Sequence, residues 1–227
     1  SFNLNQIGDY DFFKIELNSF SIPFSLFAVL FLINSFNYFD GLDGTLSFAI
    51  ISVIAILYFL IPDDNIQLFL VTILMPILFF LCFNYSIFKL PKLFLGDSGS
   101  LLLGFIIAFT LIYLANEQNI HPILLAWSIG IFVYEFLSIN IIRLTNNQNL
   151  FTAGHDHLHH ILFRNTKSIF LTNFYISLLN IILFIIGYLS FYLVNSLSSL
   201  LLFISLFAIY LILRFKYLYK TKKTKTF

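Results

Sequence analysis

Apolar residues along the chain fall into seven long runs that are separated by short polar breaks. Each run has about the 17–25 residues that a helix needs to cross the hydrocarbon core of a bilayer. A lipid-facing β-barrel would need polar residues at alternate positions, and these runs lack them. We therefore predict an all-α, polytopic membrane protein that forms one domain over residues 1–227. The pattern predicts about seven membrane-spanning helices, near residues 20–38, 44–61, 66–83, 99–115, 123–142, 169–193 and 197–214.

Composition and charge agree with this class and give an orientation. Of all residues, 59% are hydrophobic and only 10% are charged, which is far from the balance of soluble domains. If the seven spans alternate, all twelve Lys and Arg residues except Lys14 fall on one side of the membrane. The positive-inside rule then puts that side, with the C-terminal tail, in the cytoplasm. Four of the five histidines and the acids Asp40, Asp43 and Asp97 lie there too, so the residues that could carry chemistry converge on one face.

The first polar segment, NSFNYFDGLDG at residues 34–44, ends the first predicted helix. It contains two carboxylates, Asp40 and Asp43, and a charge at membrane depth costs about 2.5–3.5 kcal/mol on insertion scales. The glycines beside them let the backbone approach a ligand closely. The alternative is a polar turn between two helices, but a turn needs the glycines and not both acids. We predict a site for a metal ion and phosphate.

The second polar segment, FLGDSGS at residues 94–100, begins the fourth predicted helix. Asp97 and Ser98 could simply cap this helix, since both residue types are favoured there. Gly96 and Gly99 remove side chains from around Asp97, which a cap does not demand. In the alternative interpretation Asp97 binds a divalent cation, and the N–H groups of the helix start are open to phosphate oxygens.

The third polar segment, GHDHLHH at residues 154–160, is rich in histidine. Such a tract is typical of a transition-metal site, although it has no cysteine nearby and no defined zinc spacing. In the other interpretation His157, His159 and His160 meet diphosphate or sugar groups as hydrogen-bond donors or as a proton carrier. Residue types alone do not decide between the two.

Together these segments resemble the polyprenyl-phosphate N-acetylhexosamine-1-phosphate transferases, a glycosyltransferase family that includes phospho-N-acetylmuramoyl-pentapeptide transferase. The first segment matches the family pattern N-x-x-N-x-x-D-G-L-D-G completely. The second and third look like later motifs of the family, in the same order and on the same membrane side. The resemblance covers roughly residues 20–195 and implies a membrane enzyme.

The resemblance implies that a polyprenyl phosphate attacks the β-phosphorus of a UDP-linked N-acetylhexosamine, which yields a lipid-diphospho-sugar and UMP. It also implies Mg²⁺ as cofactor, with Mn²⁺ as the alternative, and Asp97 as the metal ligand. Arg143 would offset phosphate charge or serve as an ordinary positive-inside anchor, and the sequence favours neither. The implied catalytic residues are Asp40, Asp43 and Asp97, and the implied substrate-binding residues are Asn34, Asn37, His157, His159, His160 and Arg143.

The form of the histidine motif bears on the subgroup. His-Leu-His-His, in place of three consecutive histidines, resembles the branch that uses UDP-GlcNAc or related amino sugars with undecaprenyl phosphate. That branch begins the synthesis of O-antigen, enterobacterial common antigen, teichoic acid or capsule-like polymers of the cell envelope. The resemblance thus implies a multi-pass protein of the bacterial inner membrane with a cytoplasmic C-terminus. It leaves the sugar and a homodimer open, and we expect no nucleic-acid partner.

The chain also departs from the family pattern. Gly154-His155 stands where an acid–Arg pair is usual, and Glu135 stands where an aspartate is usual in the fifth span. The family's Asp-Asp motif on an earlier cytoplasmic loop has no counterpart, because Asp63-Asp64 is predicted on the opposite face. We therefore expect this chain to be the C-terminal part of a transferase and to be inactive, or nearly so, by itself.

Functions from other classes are the alternatives to this one. One alternative that the sequence leaves open is a catalytically silent relative that serves as a binding or assembly subunit. An ion- or proton-coupled transporter would have acids midway along its helices and an inverted repeat, whereas here the acids cluster at helix ends beside glycines. The CDP-alcohol phosphotransferases are also membrane enzymes with Asp and Gly motifs. Their array of aspartates is longer than DGLDG, so this segment does not match theirs.

Overall fold

The protein is mainly helical in the residues described by the computed structural model, which are 3–149 and 157–224. Two short 3-10 helices, at Asn18–Phe20 and Ile87–Lys89, accompany the α-helices. The predicted all-α class is confirmed. The α-helices of the described residues are α1 (Ser21–Phe39), α2 (Thr45–Leu60), α3 (Asp64–Asn84), α4 (Gly96–Glu117), α5 (Pro122–Ser128), α6 (Gly130–Thr145), α7 (Leu158–Thr166), α8 (Ile169–Leu193) and α9 (Ser196–Thr224).

The predicted spans correspond to long apolar helices, to one bent pair of helices and to one short apolar helix. Among the described residues, α5 and α6 reach spanning length only together, and they are bent by 76° at the break between them. Helix α2 is apolar but has only 16 residues. The polytopic helical class is therefore confirmed, with one bent and one short helix among the seven predicted spans. In the part of the chain that the structure describes, five segments are long and apolar enough to cross a membrane: Asn18–Phe39, Asp64–Asn84, Gly96–Glu117, Ile169–Leu193 and Ser196–Tyr219.

A small antiparallel hairpin precedes the helices, and the sequence pattern did not predict it. Its strands are β1 (Gln6–Asp9) and β2 (Lys14–Glu16). Runs of four and three residues are too short to display an alternating pattern. The carbonyl of Asp9 lies 2.9 Å from Nε2 of His121 and accepts a hydrogen bond from the Ser196 hydroxyl at 3.0 Å. The hairpin thus joins the start of α5 to the start of α9.

Helices α1 and α4 pack backbone against backbone. A Cβ atom added to Gly104 of α4 would lie 2.8 Å from the Cα of Ile33 in α1, closer than real Cβ atoms approach. Small residues at such crossings let membrane helices come near each other. The first polar segment ends α1 and the second begins α4, so this packing brings the two segments together.

The break between α5 and α6 frees backbone polar groups in apolar surroundings, where such groups need partners within the protein. Asn180 of α8, which is fully buried, supplies them. Its Nδ2 donates to the carbonyl of Ser128 at 2.9 Å, and its Oδ1 accepts from the N–H of Ile131 at 3.2 Å. The same Nδ2 donates to Ser52 of α2 at 3.0 Å. One side chain therefore stabilises the bend and joins it to α2.

Replacing Asn180 with Leu should lower the free energy of unfolding by at least about 2 kcal/mol, because each buried polar group left unpaired costs about 1–3 kcal/mol. The measurement is a thermal melt in detergent, followed by the emission of Trp127, the one tryptophan of the chain, which lies beside the break. Asn140→Leu is the matched control, since Asn140 donates within its own helix, to the carbonyl of Phe136. Equal melting of the two variants would contradict this role of Asn180.

Candidate active site

The first and second polar segments line a common cleft of about 320 Å³. Residues 40–44 form one wall and residues 94–97 form another. Ser47 of α2, with Phe80 and Asn84 of α3, completes the described lining. Two segments that are distant in the chain therefore meet where the predicted metal and phosphate site requires them.

Asn37 connects the two segments directly. From the last turn of α1 its Nδ2 donates to Oδ1 of Asp97 at 3.1 Å and to the hydroxyl of Ser100 at 3.0 Å. Ser100 in turn donates to the backbone carbonyl of Asp97 at 3.1 Å. Because Asn37 is a neutral donor, it orients the carboxylate of Asp97 without cancelling its charge.

The helix-capping interpretation of the second segment is wrong. Helix α4 begins at Gly96, its N-cap residue is Leu95, and no side chain caps it. Asp97 instead lies in the first turn, where the partial positive charge of the helix end favours an anion. Its side chain is exposed to the cleft and is available to a ligand.

Asp40 is half-buried at the end of α1. Burial raises the pKa of Asp40 to about 6, and the negative charge of Asp97 adds to this rise. A carboxylate that is half-buried beside a second negative charge favours a bound cation.

Lys92 belongs to this site, and the sequence pattern did not predict it. In the sequence, Lys92 contributed only to the positive-inside pattern. Its Nζ lies 2.6 Å from Oδ2 of Asp43, and both side chains are partly exposed. The same Nζ lies 5.1 Å from the ring centroid of Phe94. A cation thus stands at the rim of the cleft, where it can meet phosphate oxygens.

The backbone of Asp43 is fixed from behind by two residues that the sequence did not reveal either. Its carbonyl accepts hydrogen bonds from Nδ2 of Asn173 at 2.7 Å and from the hydroxyl of Tyr85 at 3.3 Å. Oδ1 of Asn173 also accepts from the hydroxyl of Thr45 at 2.6 Å. The signal in the sequence is that Asn173 is a polar residue in the apolar run of α8, which indicates a buried hydrogen bond.

The third polar segment packs against the first. The ring centroids of His157 and His159 lie 5.5 Å apart with nearly parallel planes, and those of His159 and His160 lie 4.3 Å apart. A Cβ on Gly41 would overlap the imidazole of His159, at 2.9 Å from Cε1 and closer still to Nε2. The glycine is therefore required for this contact. His155 and Asp156 of the same tract lie outside the described residues.

Arg143 and Asn34, the other predicted site residues, are placed differently. Arg143 is 4% exposed, and its guanidinium carbon lies 5.9 Å from the ring centroid of Tyr38 in the first segment. A residue so buried beside the site does not suit a mere surface anchor. Asn34 donates its amide to the carbonyl of Leu30 within its own helix, whereas Asn37 reaches across to Asp97.

The donor set of the cleft fits one kind of metal site. Within residues 3–149 and 157–224, no three His, Cys, Asp or Glu side chains form a group able to hold a metal ion. The described histidines therefore do not form the transition-metal cage that the tract suggested. Mg²⁺ is commonly held by one or two carboxylates, with substrate phosphates and water as its other ligands. Asp97 and Asp40, whose pKa is raised partly by the charge of Asp97, suit that arrangement.

His159 makes stability depend on pH. Burial, together with the smaller effects of the charges of His160, His157 and Arg214, lowers the pKa of His159 to about 2. The unfolded chain takes up a proton below about pH 6.5, whereas the folded protein does not. The contribution of neutral His159 is complete above pH 6.5 and is lost as the pH falls, by about 2 kcal/mol between pH 6.5 and pH 5.

Thermal melts at pH 7.5 and pH 5.0 measure this effect. The difference in melting temperature between the two pH values should be smaller for His159→Asn than for the wild-type protein. The same pH dependence in both proteins would show that His159 is not buried in its neutral form.

Comparison with known proteins identifies the family. The sequence model of glycosyl transferase family 4 matches residues 1–115, which include the first two polar segments. The chain belongs to glycosyl transferase family 4. This confirms the family that the three segments predicted.

Individual members of glycosyl transferase family 4 also align with the chain. The undecaprenyl-phosphate alpha-N-acetylglucosaminyl 1-phosphate transferase of Escherichia coli (strain K12) is 31% identical over 160 residues, which are 66% of this chain and 43% of the relative. The enzyme of the same name from Yersinia pestis is 29% identical over 157 residues, with the same coverage. A phospho-N-acetylmuramoyl-pentapeptide-transferase of Borreliella afzelii (strain PKo) is 34% identical over 148 residues, 57% of this chain and 40% of the relative. The chain spans less than half the length of these relatives.

Proposed function

We propose that the complete protein transfers N-acetylhexosamine 1-phosphate from a UDP-sugar to polyprenyl phosphate, with undecaprenyl phosphate as the carrier, and releases UMP. The observation that carries the proposal is the meeting of three polar segments: the first two line one cleft, and the third packs against Gly41 of its lining. Asn37 bonds Asp97 there, and the imidazole of His159 lies on Gly41. Membership of the family and the names of the relatives support the same reaction.

The side chains of the cleft suit a diphosphate substrate. Mg²⁺ (or Mn²⁺ in its place) would be held by Asp97, and when bound it would neutralise charge on the diphosphate. Lys92, which contacts Asp43, would offset the charge of the phosphates from the rim. Asp40 has a pKa of about 6. A carboxylate with such a pKa suits the acceptance of a proton from the attacking lipid phosphate near neutral pH.

The histidine segment would close the cleft from the other side. His157 and His159 are buried against the first segment, and His160 is half-buried beside them. Imidazole groups so placed would orient the sugar or the diphosphate by hydrogen bonds. Arg143, buried next to Tyr38, would add positive charge from the same side.

The proposal includes a location and an orientation. We propose that the cleft faces the cytoplasm of a bacterial inner membrane, where UDP-sugars are made, and that the C-terminus lies on the same side. Positive residues support this orientation. Lys89 and Lys92 lie between α3 and α4, and Arg143 and Arg164 lie in the last turns of α6 and α7.

Release of UMP by the purified complete gene product tests the proposal. The protein in detergent receives undecaprenyl phosphate, Mg²⁺ and one of three donors: UDP-GlcNAc, UDP-GalNAc or UDP-MurNAc-pentapeptide. We expect release of UMP with a UDP-N-acetylhexosamine, dependence on the lipid phosphate, and loss of release with EDTA. Binding of a UDP-sugar without any release of UMP would favour the silent-relative alternative and contradict the proposal.

A further inference from the structure

A buried carboxylate in α6 joins three helices beside the cleft. Glu135 is only 1% exposed. Its Oε1 accepts hydrogen bonds from the backbone N–H of Leu158 at 2.7 Å and from Nη2 of Arg214 at 3.0 Å. Its Oε2 accepts from the hydroxyl of Tyr210 at 2.5 Å. Leu158 begins α7, whereas Tyr210 and Arg214 belong to α9, so one side chain connects α6, α7 and α9.

Stability alone does not account for this arrangement. A buried ion pair seldom adds net stability, because removing both charges from water offsets their attraction. An ionisable residue within a membrane helix is by default a candidate for function. Glu135 and Arg214 are both buried, so the cost of desolvation applies to each.

The contacts of Glu135 indicate what the carboxylate does. The N–H of Leu158 is the first of α7, and helix starts carry unpaired N–H groups and a partial positive charge. The N-cap residue of α7 is His157, and its side chain makes no capping hydrogen bond. Glu135 therefore acts as a cap supplied from another helix, at the point where the histidine segment enters α7.

A short series of contacts connects this cap to the cleft. Nδ1 of His157 lies 3.8 Å from Oε1 of Glu135. The ring of His157 is stacked on that of His159, and His159 lies directly on Gly41 of the first segment. Glu135 is thus linked to two of the three histidines, to His157 directly and to His159 through His157.

We propose that Glu135 is a positioning residue for the histidine segment, and that Arg214 and Tyr210 of α9 hold its carboxylate in place. Glu135 does not itself contact the substrate. It fixes the start of α7 and so holds His157 and His159 against the first segment. The catalytic consequence of this inference rests on the proposed transfer reaction, whereas the structural anchor does not.

The test compares variants of the complete gene product by two independent readouts. Hydrogen–deuterium exchange of peptides that cover residues 157–166 reports the anchor. In Glu135→Leu the exchange should be at least about fivefold faster there, since loss of a helix cap costs about 1 kcal/mol. Transfer activity reports the consequence. Its kcat/KM should fall at least about tenfold, because a small displacement of positioning groups is costly to catalysis.

Two further variants separate positioning from simple destabilisation. Glu135→Gln keeps an oxygen that can accept from the N–H of Leu158, so it should recover most of the protection of α7 and part of the activity. Tyr210→Phe removes one hydrogen bond and should have a smaller effect in the same direction, even if Glu135→Leu does not fold. Glu117→Leu, at an exposed acid at the far end of α4, is the matched control and should change neither readout.

The outcomes distinguish the two proposals. If the wild-type protein shows no transfer and Glu135→Leu shows faster exchange confined to α7, the result would support the anchor and contradict the proposed function. Exchange that rises equally in all helices, or a Glu135→Leu enzyme as active as the wild type, would overturn the positioning role.

Discussion

Changing Asp97 to Asn should reduce sugar-phosphate transfer by the complete protein at least about 100-fold, the loss typical of removing one charge-stabilising group from an active site. Asn keeps the size of the side chain and an oxygen that can accept from Nδ2 of Asn37, but it removes the negative charge. A divalent cation held by Asp97 would then lose its protein carboxylate at the start of α4. The measurement is UMP release at saturating substrates over a series of Mg²⁺ concentrations, and the residual activity should require more Mg²⁺.

Asp63→Asn is the matched control for this substitution. Asp63 caps α3, where its Oδ1 accepts from the N–H groups of Asn65 at 2.9 Å and Ile66 at 3.2 Å. Asn is an equally good N-cap, so activity should stay unchanged. If Asp97→Asn retained wild-type activity at every Mg²⁺ concentration, Asp97 would not be the metal ligand.

Changing Gly41 to Ala should nearly abolish transfer and lower the free energy of unfolding by about 1–3 kcal/mol, as overpacking commonly does. The added methyl group would overlap the imidazole of His159. That ring is buried between Phe39 and its neighbouring histidines, so it cannot turn away without displacing the start of α7. The measurements are UMP release and thermal melting of the same preparation.

Two further proteins make this prediction specific. Gly130→Ala should melt no lower than the wild type, because its new Cβ would meet neighbours only at 3.8 Å or more. The double variant Gly41→Ala, His159→Ala should recover part of the lost stability but none of the activity, since the overlap is relieved and the imidazole is absent. A Gly41→Ala protein with wild-type melting and activity would mean that His159 does not lie on Gly41.

The membrane class and the meeting of the polar segments could be predicted because they depend on local properties. Long apolar runs identify spanning helices, and the segments at residues 34–44 and 94–100 lie at helix ends on one predicted face. The bend between α5 and α6 could not be predicted in this way, since residues 123–142 read as one apolar run. Its backbone groups are satisfied by Asn180, which belongs to α8 and is not marked as their partner by any pattern.

The supporting residues of the site were missed for a related reason. Asn173 bonds the carbonyl of Asp43 across 130 positions of the chain, and Arg214 bonds Glu135 across 79. A polar residue in an apolar run has many candidate partners, and only packing selects one. In the sequence, Arg214 and Lys92 contribute to the excess of positive charge on one side of the membrane. That pattern does not distinguish them from the other basic residues.

The contact of Gly104 with Ile33 has a consequence for attempts to alter the candidate site. Gly104 lies seven residues beyond Asp97 in α4, about 10 Å along the helix axis. Ile33 lies one turn before Asn37 in α1. The spacing between the amide of Asn37 and the carboxylate of Asp97 therefore depends on a helix crossing about 10 Å away, where a methyl group on Gly104 would not fit. Variants designed to change the geometry of the cleft should therefore include this helix crossing, which lies away from the cleft itself.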